Sequence, residues 1–272
     1  MRNREELFES IQLKSSFLCV GLDPDAERIP ASCGTGVQGM EQFCKSIVDA
    51  THELAVAFKP NLAFFEQYGS EGWAALERII AHIPKDCMVI ADAKRGDIGN
   101  TAARYAQAMF EGLGAHAITV APYMGEDSVR PFIDFRDGCW TILLAMTSNP
   151  GAQDFEFHGT PPLFERVMER AQTWGSPDEL MFVVGATRPE AIARARTVAP
   201  DSFFLVPGVG AQGGALRDVV DAGWNAQCGL LVNSSRGILY ASSGSDFAEK
   251  ARESALNLRN EMKAILQEKT NG

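Results

Sequence analysis

The chain has 272 residues, 46% of them hydrophobic and 22% charged, with a formal net charge of −10. That length suffices for two small domains or one large barrel, and the composition is that of a globular protein. The acidic balance gives no overall attraction to nucleic acid or to an anionic membrane surface, so an anionic ligand would have to be met by a local basic site.

The start, MRNREELFES, reads as the beginning of an amphipathic helix rather than a signal peptide. Short apolar runs then recur: SFLCVGLD (16–23), LAVAFKPN (54–61), CMVIADAK (87–94), HAITVAPY (116–123), CWTILLAM (139–146), LMFVVGAT (180–187), SFFLVPGV (202–209) and CGLLVNSS (228–235). Between them lie helical patterns such as GMEQFCKSIVDATHE (39–53), GWAALERIIAHI (72–83), TAARYAQAMFEGLGA (101–115) and GGALRDVVDAG (213–223), and 246–272 reads as a closing helix. Near-continuous apolar strands alternating with helices signal a parallel sheet covered by helices. Eight such units in a chain of this length point to an α/β fold, a (β/α)8 TIM barrel, with a doubly wound open sheet as the runner-up. No linker, low-complexity tract or short repeat interrupts the pattern, so one domain is expected over 1–272. No apolar run is long enough to span a membrane.

Cys19, Cys33, Cys44, Cys87, Cys139 and Cys228 form no C-x-x-C pair and no metal-ligand spacing, and read as small buried thiols in a reducing cytoplasm. The four histidines are isolated, which argues against a multi-His metal site, and His158 reads as a solvated residue rather than a base.

Polar residues gather where the runs end: Asp23, Lys59, Asp92 and Lys94, Thr147 and Ser148, Gly208 and Gly210, and Ser234 to Gly237. In barrels the active site is built at that end, from the loops that follow the strands. The third run is the most informative. In VIADAKRGDIGNTA (89–102), strand alternation places Asp92 and Lys94 on one face, Asp97 follows in a glycine-flanked turn, and Lys59 should stand on the neighbouring strand. These four residues would form a Lys–Asp–Lys–Asp array in which each charge favours the ionised form of its neighbours. A fixed, desolvated ammonium can stabilise negative charge that develops on carbon and then protonate it. The bland reading is a structural ion-pair network. A divalent metal between Asp92 and Asp97 is disfavoured by the ammonium between them.

The run D-A-K-R-G-D-I-G-N-T at 92–101 resembles the D-x-K-x-x-D-I-x-x-T signature of orotidine 5′-phosphate decarboxylases, and AFKPNLAFFEQYG and TSNPGA look like its longer-chain bacterial subgroup. The resemblance runs from CVGLDPD to VNSSRGI. It implies a cofactor-free and metal-free carbon–carbon lyase that turns orotidine 5′-monophosphate (OMP) into uridine 5′-monophosphate (UMP) and carbon dioxide in pyrimidine synthesis. Lys94, Asp92, Lys59 and Asp97 would be the catalytic residues. Asp23, Lys59 and Thr101 would contact ribose hydroxyls and Ser148 the pyrimidine. Asp97 and Thr101 would reach into the partner's site of a homodimer.

VPGVGAQGG (206–214) contains G-x-G-x-x-G, but in the seventh βα unit and without a ribose-binding acid after it, so an anion-facing glycine loop is the better reading than a dinucleotide fingerprint. The next loop supplies Arg236 and the Gly237 amide, and barrels often hold phosphate after strands seven and eight. The resemblance assigns phosphate contacts to Gln212, Arg236 and Gly237. TSNPGAQDFEFHG (147–159) reads as a lid. Two other readings stay open: a magnesium-dependent sugar-phosphate decarboxylase or aldolase on the same barrel, and a non-catalytic nucleotide-binding barrel. The segment 24–41 is longer than a minimal barrel loop and could cover the mouth or serve an interface.

Overall fold

A computed structural model describes residues 3–209 and 215–271. Eight strands, β1 (Leu18–Leu22), β2 (Ala57–Pro60), β3 (Met88–Arg95), β4 (Ala117–Val120), β5 (Trp140–Met146), β6 (Leu180–Val184), β7 (Phe204–Pro207) and β8 (Leu230–Ser234), close into a barrel in chain order. The pairings described are parallel, as the expected (β/α)8 barrel requires. Each strand lies within one of the apolar runs or one residue beyond it. The helices are α1 (Arg4–Lys14), α2 (Gly36–Thr51), α3 (Ala63–Glu66), α4 (Gly69–His82), α5 (Gly99–Gln107), α6 (Glu126–Ile133), α7 (Ala152–Phe155), α8 (Leu163–Ala171), α9 (Pro189–Val198), α10 (Leu216–Gly223), α11 (Arg236–Leu239) and α12 (Phe247–Asn271). None of them is long and apolar enough to cross a membrane, among the described residues.

The chain divides into two compact units. One holds residues 9–93 and 234–272, the other 1–8 and 94–233. In the first, β1 pairs with β2 from Cys19↔Ala57 to Leu22↔Pro60, and β2 with β3 at Ala57↔Met88 and Phe58↔Val89. All five residues of β1 are buried, as befits a strand covered on both faces. Helix α2 buries Met40, Phe43, Cys44, Ile47, Val48 and Thr51, the i, i+3, i+4, i+7 stripe of a helix lying on a sheet. On its outer side Glu41 takes a two-pronged bond from the Arg78 guanidinium on α4, at 2.6 and 2.9 Å to one oxygen and 3.0 Å to the other. The segment 24–41, expected only as an extended loop, folds into two 3-10 turns, Ala26–Arg28 and Ala31–Cys33, before α2 begins.

In the second unit β4 to β8 pair in sequence, with a bulge between Leu144 and Met146 on β5. The proline Pro207 stands at the end of β7, where a missing N–H is tolerated. Arg196 on α9 is a half-buried clamp. Its guanidinium donates to the carbonyls of Gly223, Ala199, Ser202 and Gly229 at 2.7–3.0 Å and lies 3.8 Å from the centroid of the Phe204 ring. The pattern expected as one helix over 101–115 is instead α5 followed by a wider π turn, Ala108–Gly112. All six cysteines are free, and five are buried; Cys33 departs from the expectation and is half-buried, because it lies in the 3-10 turn outside the packed layers.

Candidate active site

A lysine on a strand buried on both faces must find an acid or lose its proton. Lys59, on β2, finds Asp92. Its Nζ lies 2.6 Å from Asp92 Oδ2, with the two residues 5% and 8% exposed. Burial pulls the Lys59 pKa down, but the charges of Asp92 and Asp23 and the hydrogen bond to Asp92 outweigh it, so the ammonium ends above the ordinary lysine value. The backbone supports the pair. The Leu62 N–H donates to the Asp92 carbonyl at 3.2 Å, and Asn61 bridges to Asp92 as a parallel partner. Cys19 lies close enough to feel all three charges. Its thiol is pushed up to about 12, chiefly by burial, and so stays protonated as packing.

Asp23 follows β1 directly. Its Oδ1 is buried and has no hydrogen-bond partner among the described residues, an acceptor suited to a ligand hydroxyl. Its main-chain carbonyl accepts from the Tyr240 hydroxyl at 2.9 Å. Arg236 opens α11, and both it and Gly237 are exposed. The Ser235 Oγ beside them is buried without a hydrogen-bond partner among the described residues.

The second unit carries the other candidates. Lys94 has φ +47°, one of three non-glycine residues of positive φ among those described. Its N–H donates to the Thr119 hydroxyl at 2.9 Å, and the Ala121 N–H donates to the Arg95 carbonyl at 2.8 Å. These two bonds hold a backbone conformation that costs a side-chain-bearing residue about 1 kcal/mol or more. The turn takes the chain out of the regular pleat, and residue 94 is exposed where the sequence led us to expect a desolvated ammonium. Asp97 is half-buried and accepts from the next N–H, that of Ile98, at 2.8 Å. Thr101 lies exposed on the first turn of α5. Of the expected four-residue array, the structure thus brings Lys59 and Asp92 into a direct bond. Asp23, expected as a ribose contact, is a second acid acting on Lys59.

Ser148 is half-buried just beyond β5, in a segment tied down locally. Glu156 accepts from the Thr147 N–H and is bonded to its hydroxyl, both at 2.7 Å. A Cβ built on Gly185 would stand 2.9 Å from the Ser148 nitrogen, so only glycine lets the chain just beyond β6 pass this close beneath the peptide. The segment 147–159, expected as a lid, contains the short helix α7, and His158, three residues beyond that helix, is exposed, as expected. Gln212, Gly210 and Gly213, read as part of the anion loop, lie outside the described residues.

Three residues escaped the sequence reading as individuals. Asn233, 7% exposed on β8, keeps a buried Oδ1 without a hydrogen-bond partner among the described residues. Glu156 and Tyr240 act through main-chain groups. An asparagine in the apolar run CGLLVNSS was the one signal available; nothing marks the other two. Among the described residues no group of three or more His, Cys, Asp or Glu side chains is placed to hold a metal ion.

The match to known proteins covers nearly the whole chain. The family model described as "Orotidine 5'-phosphate decarboxylase / HUMPS family" matches residues 16–251. An orotidine 5′-phosphate decarboxylase of Flavobacterium johnsoniae is 53% identical over 97% of this chain and 98% of its own length. One of Bacteroides fragilis is 48% identical over 97% of this chain and 100% of its own. The solved structure of Leishmania donovani OMP decarboxylase superposes with a TM-score of 0.81 at 42% identity, covering 94% of this chain and 99% of that one. With its closed eight-stranded barrel and a buried Lys59–Asp92 pair at the strand ends, the chain belongs to the orotidine 5′-phosphate decarboxylase / HUMPS family.

Proposed function

We propose that the chain decarboxylates OMP to UMP and carbon dioxide. The reading rests on the D-A-K-R-G-D run at the end of β3, with Asp92 locked on Lys59, in a chain matched over 97% of its length by a decarboxylase of this name. The bond between C6 of the pyrimidine and its carboxylate breaks, carbon dioxide leaves, and the electron pair stays on C6. Lys94 stabilises that pair and donates its proton to it, and solvent then reprotonates the amine. Asp92 sits near the departing carboxylate. Lys59 keeps Asp92 ionised and, with Asp23 and Thr101, contacts the ribose hydroxyls, while Asp97 completes the array. Ser148 meets the pyrimidine, and Gln212, Arg236 and Gly237 meet the phosphate.

Lys94 is exposed in the structure described, and a cation in water is a weak stabiliser of a carbanion. Closure of 147–159 over the nucleotide supplies the missing desolvation. Phosphate binding, remote from the breaking bond, helps to drive it. No metal or cofactor takes part. The working unit is a cytoplasmic homodimer in which Asp97 and Thr101 reach the partner's site.

The test is to mix the protein with OMP and follow the loss of orotate absorbance, with and without a chelator. Turnover unaffected by the chelator is expected. No turnover, or turnover that the chelator removes, moves the assignment to a non-catalytic barrel or to metal-dependent chemistry.

A further inference from the structure

Tyr240 stands between the two ends of the proposed nucleotide site. Its hydroxyl donates to the Asp23 carbonyl at 2.9 Å and accepts from the Asp25 N–H at 2.7 Å, closing the loop that leaves β1. Its own N–H donates to the Arg236 carbonyl at 3.2 Å, as the C-cap of α11. One residue thereby ties the main chain of Asp23 to that of Arg236. The ring is fixed from both sides. It stacks on Phe43 at 5.9 Å between centroids, 13° from parallel, and the Arg28 guanidinium lies 3.8 Å from its centroid. Asp25, in turn, caps the turn Ala26–Arg28 by accepting from the Glu27 N–H. Burial pushes the phenol up to about 12, so the hydroxyl keeps the proton it donates.

Asp23 carries a buried oxygen, Oδ1, without a hydrogen-bond partner among the described residues. With no donor to that oxygen among the described residues, its aim depends on how rigidly the backbone is held. We propose that Tyr240 is a positioning residue for nucleotide binding: its hydroxyl sets the aim of Asp23 on the ribose, and its backbone registers that carboxylate against Arg236 at the phosphate. The segment 24–41 is then neither a cover nor an idle insertion at its start; Asp25 and Arg28 are the parts of it that lock the tyrosine. The inference rests on the ribose and phosphate roles proposed above for Asp23 and Arg236.

The test is the affinity for UMP of the full-length protein by calorimetry, in four forms: wild type, Tyr240→Phe, Asp23→Ala and the double variant. Inorganic phosphate is measured alongside as a competitor. Tyr240→Phe keeps the ring and its stacking and removes only the hydroxyl, and a melting curve on each form checks the fold. We expect about tenfold weaker UMP binding for Tyr240→Phe and less than a twofold further loss when it is added to Asp23→Ala, because coupled residues do not add. Phosphate affinity should hold within twofold. An equal loss in both backgrounds, a parallel loss of phosphate affinity, or no change in UMP binding overturns the proposal. If Asp23→Ala itself leaves UMP binding unchanged, the ribose role of Asp23 fails first, and the tyrosine's role with it.

Discussion

Asp92 accepts a 2.6 Å hydrogen bond from Lys59, and both side chains are more than nine-tenths buried. Removing one partner of such a pair leaves an uncompensated charge inside the protein, which costs about 3–5 kcal/mol. Lys59→Ala should therefore lower the denaturation free energy by about 3 kcal/mol as well as impair catalysis. The sign of the pH dependence follows from the raised pKa of Lys59. Its contribution is fully present below the pKa of the unfolded lysine, about 10.4, and is lost as pH rises through the higher folded value. Denaturant melts of both proteins at pH 7 and pH 9 should show the same gap; a gap that closes by pH 9 would contradict the raised value.

Gly185 is the floor beneath Ser148. A methyl group there would stand 2.9 Å from the Ser148 nitrogen and 3.0 Å from the Thr147 carbonyl carbon, both of them backbone atoms that cannot swing away. Gly185→Ala should displace the start of the 147–159 segment and lower kcat/KM by more than tenfold, with a modest loss of stability. Steady-state kinetics on OMP checks it, and wild-type kinetics would show that Ser148 tolerates displacement.

Arg236 is exposed, so the fold does not lean on its guanidinium. Arg236→Ala should keep the wild-type melting temperature and weaken UMP binding at least tenfold, while uridine, which lacks the phosphate, binds the two proteins alike. Equal loss for uridine and UMP would remove the phosphate from Arg236.

Glu41 joins α2 to α4, and its pKa is lowered, first by the Arg78 hydrogen bond, against burial, and then by Lys45. A depressed carboxylate stabilises above its unfolded pKa and loses that contribution as pH falls through the folded one. Glu41→Gln should therefore melt earlier than wild type at pH 7, and the difference should shrink below about pH 4. Melting curves across this range measure it; a difference independent of pH would assign the effect to packing.

The alternation of apolar runs with helical patterns was enough to place the strands, because a barrel strand buried on both faces has few other compositions available. The charged residues were legible as a cluster for the same reason, since Lys59 and Asp92 interrupt runs that have no use for charge. Their detailed geometry was not. Period-two alternation put Asp92 and Lys94 on one face, but residue 94 takes a left-handed φ held by Thr119, a hydroxyl from another strand that no local pattern announces. The role of Tyr240 was hidden because its partners, Asp23 and Asp25, lie more than two hundred residues away in the chain. Glu156 was hidden because it bonds a main-chain N–H, and main-chain partners carry no residue signature.

The amine of Lys94 is the group proposed to steady and protonate C6, and the decarboxylation turns on it. The direct measurement is the rate of orotate absorbance loss at saturating OMP for wild type and Lys94→Ala, with a melting curve for each. The variant should lose about 10²- to 10⁴-fold in kcat, the scale on which a positioned proton donor acts, while its melting curve still shows a folded protein. A variant that folds and turns over within tenfold of wild type would contradict this role.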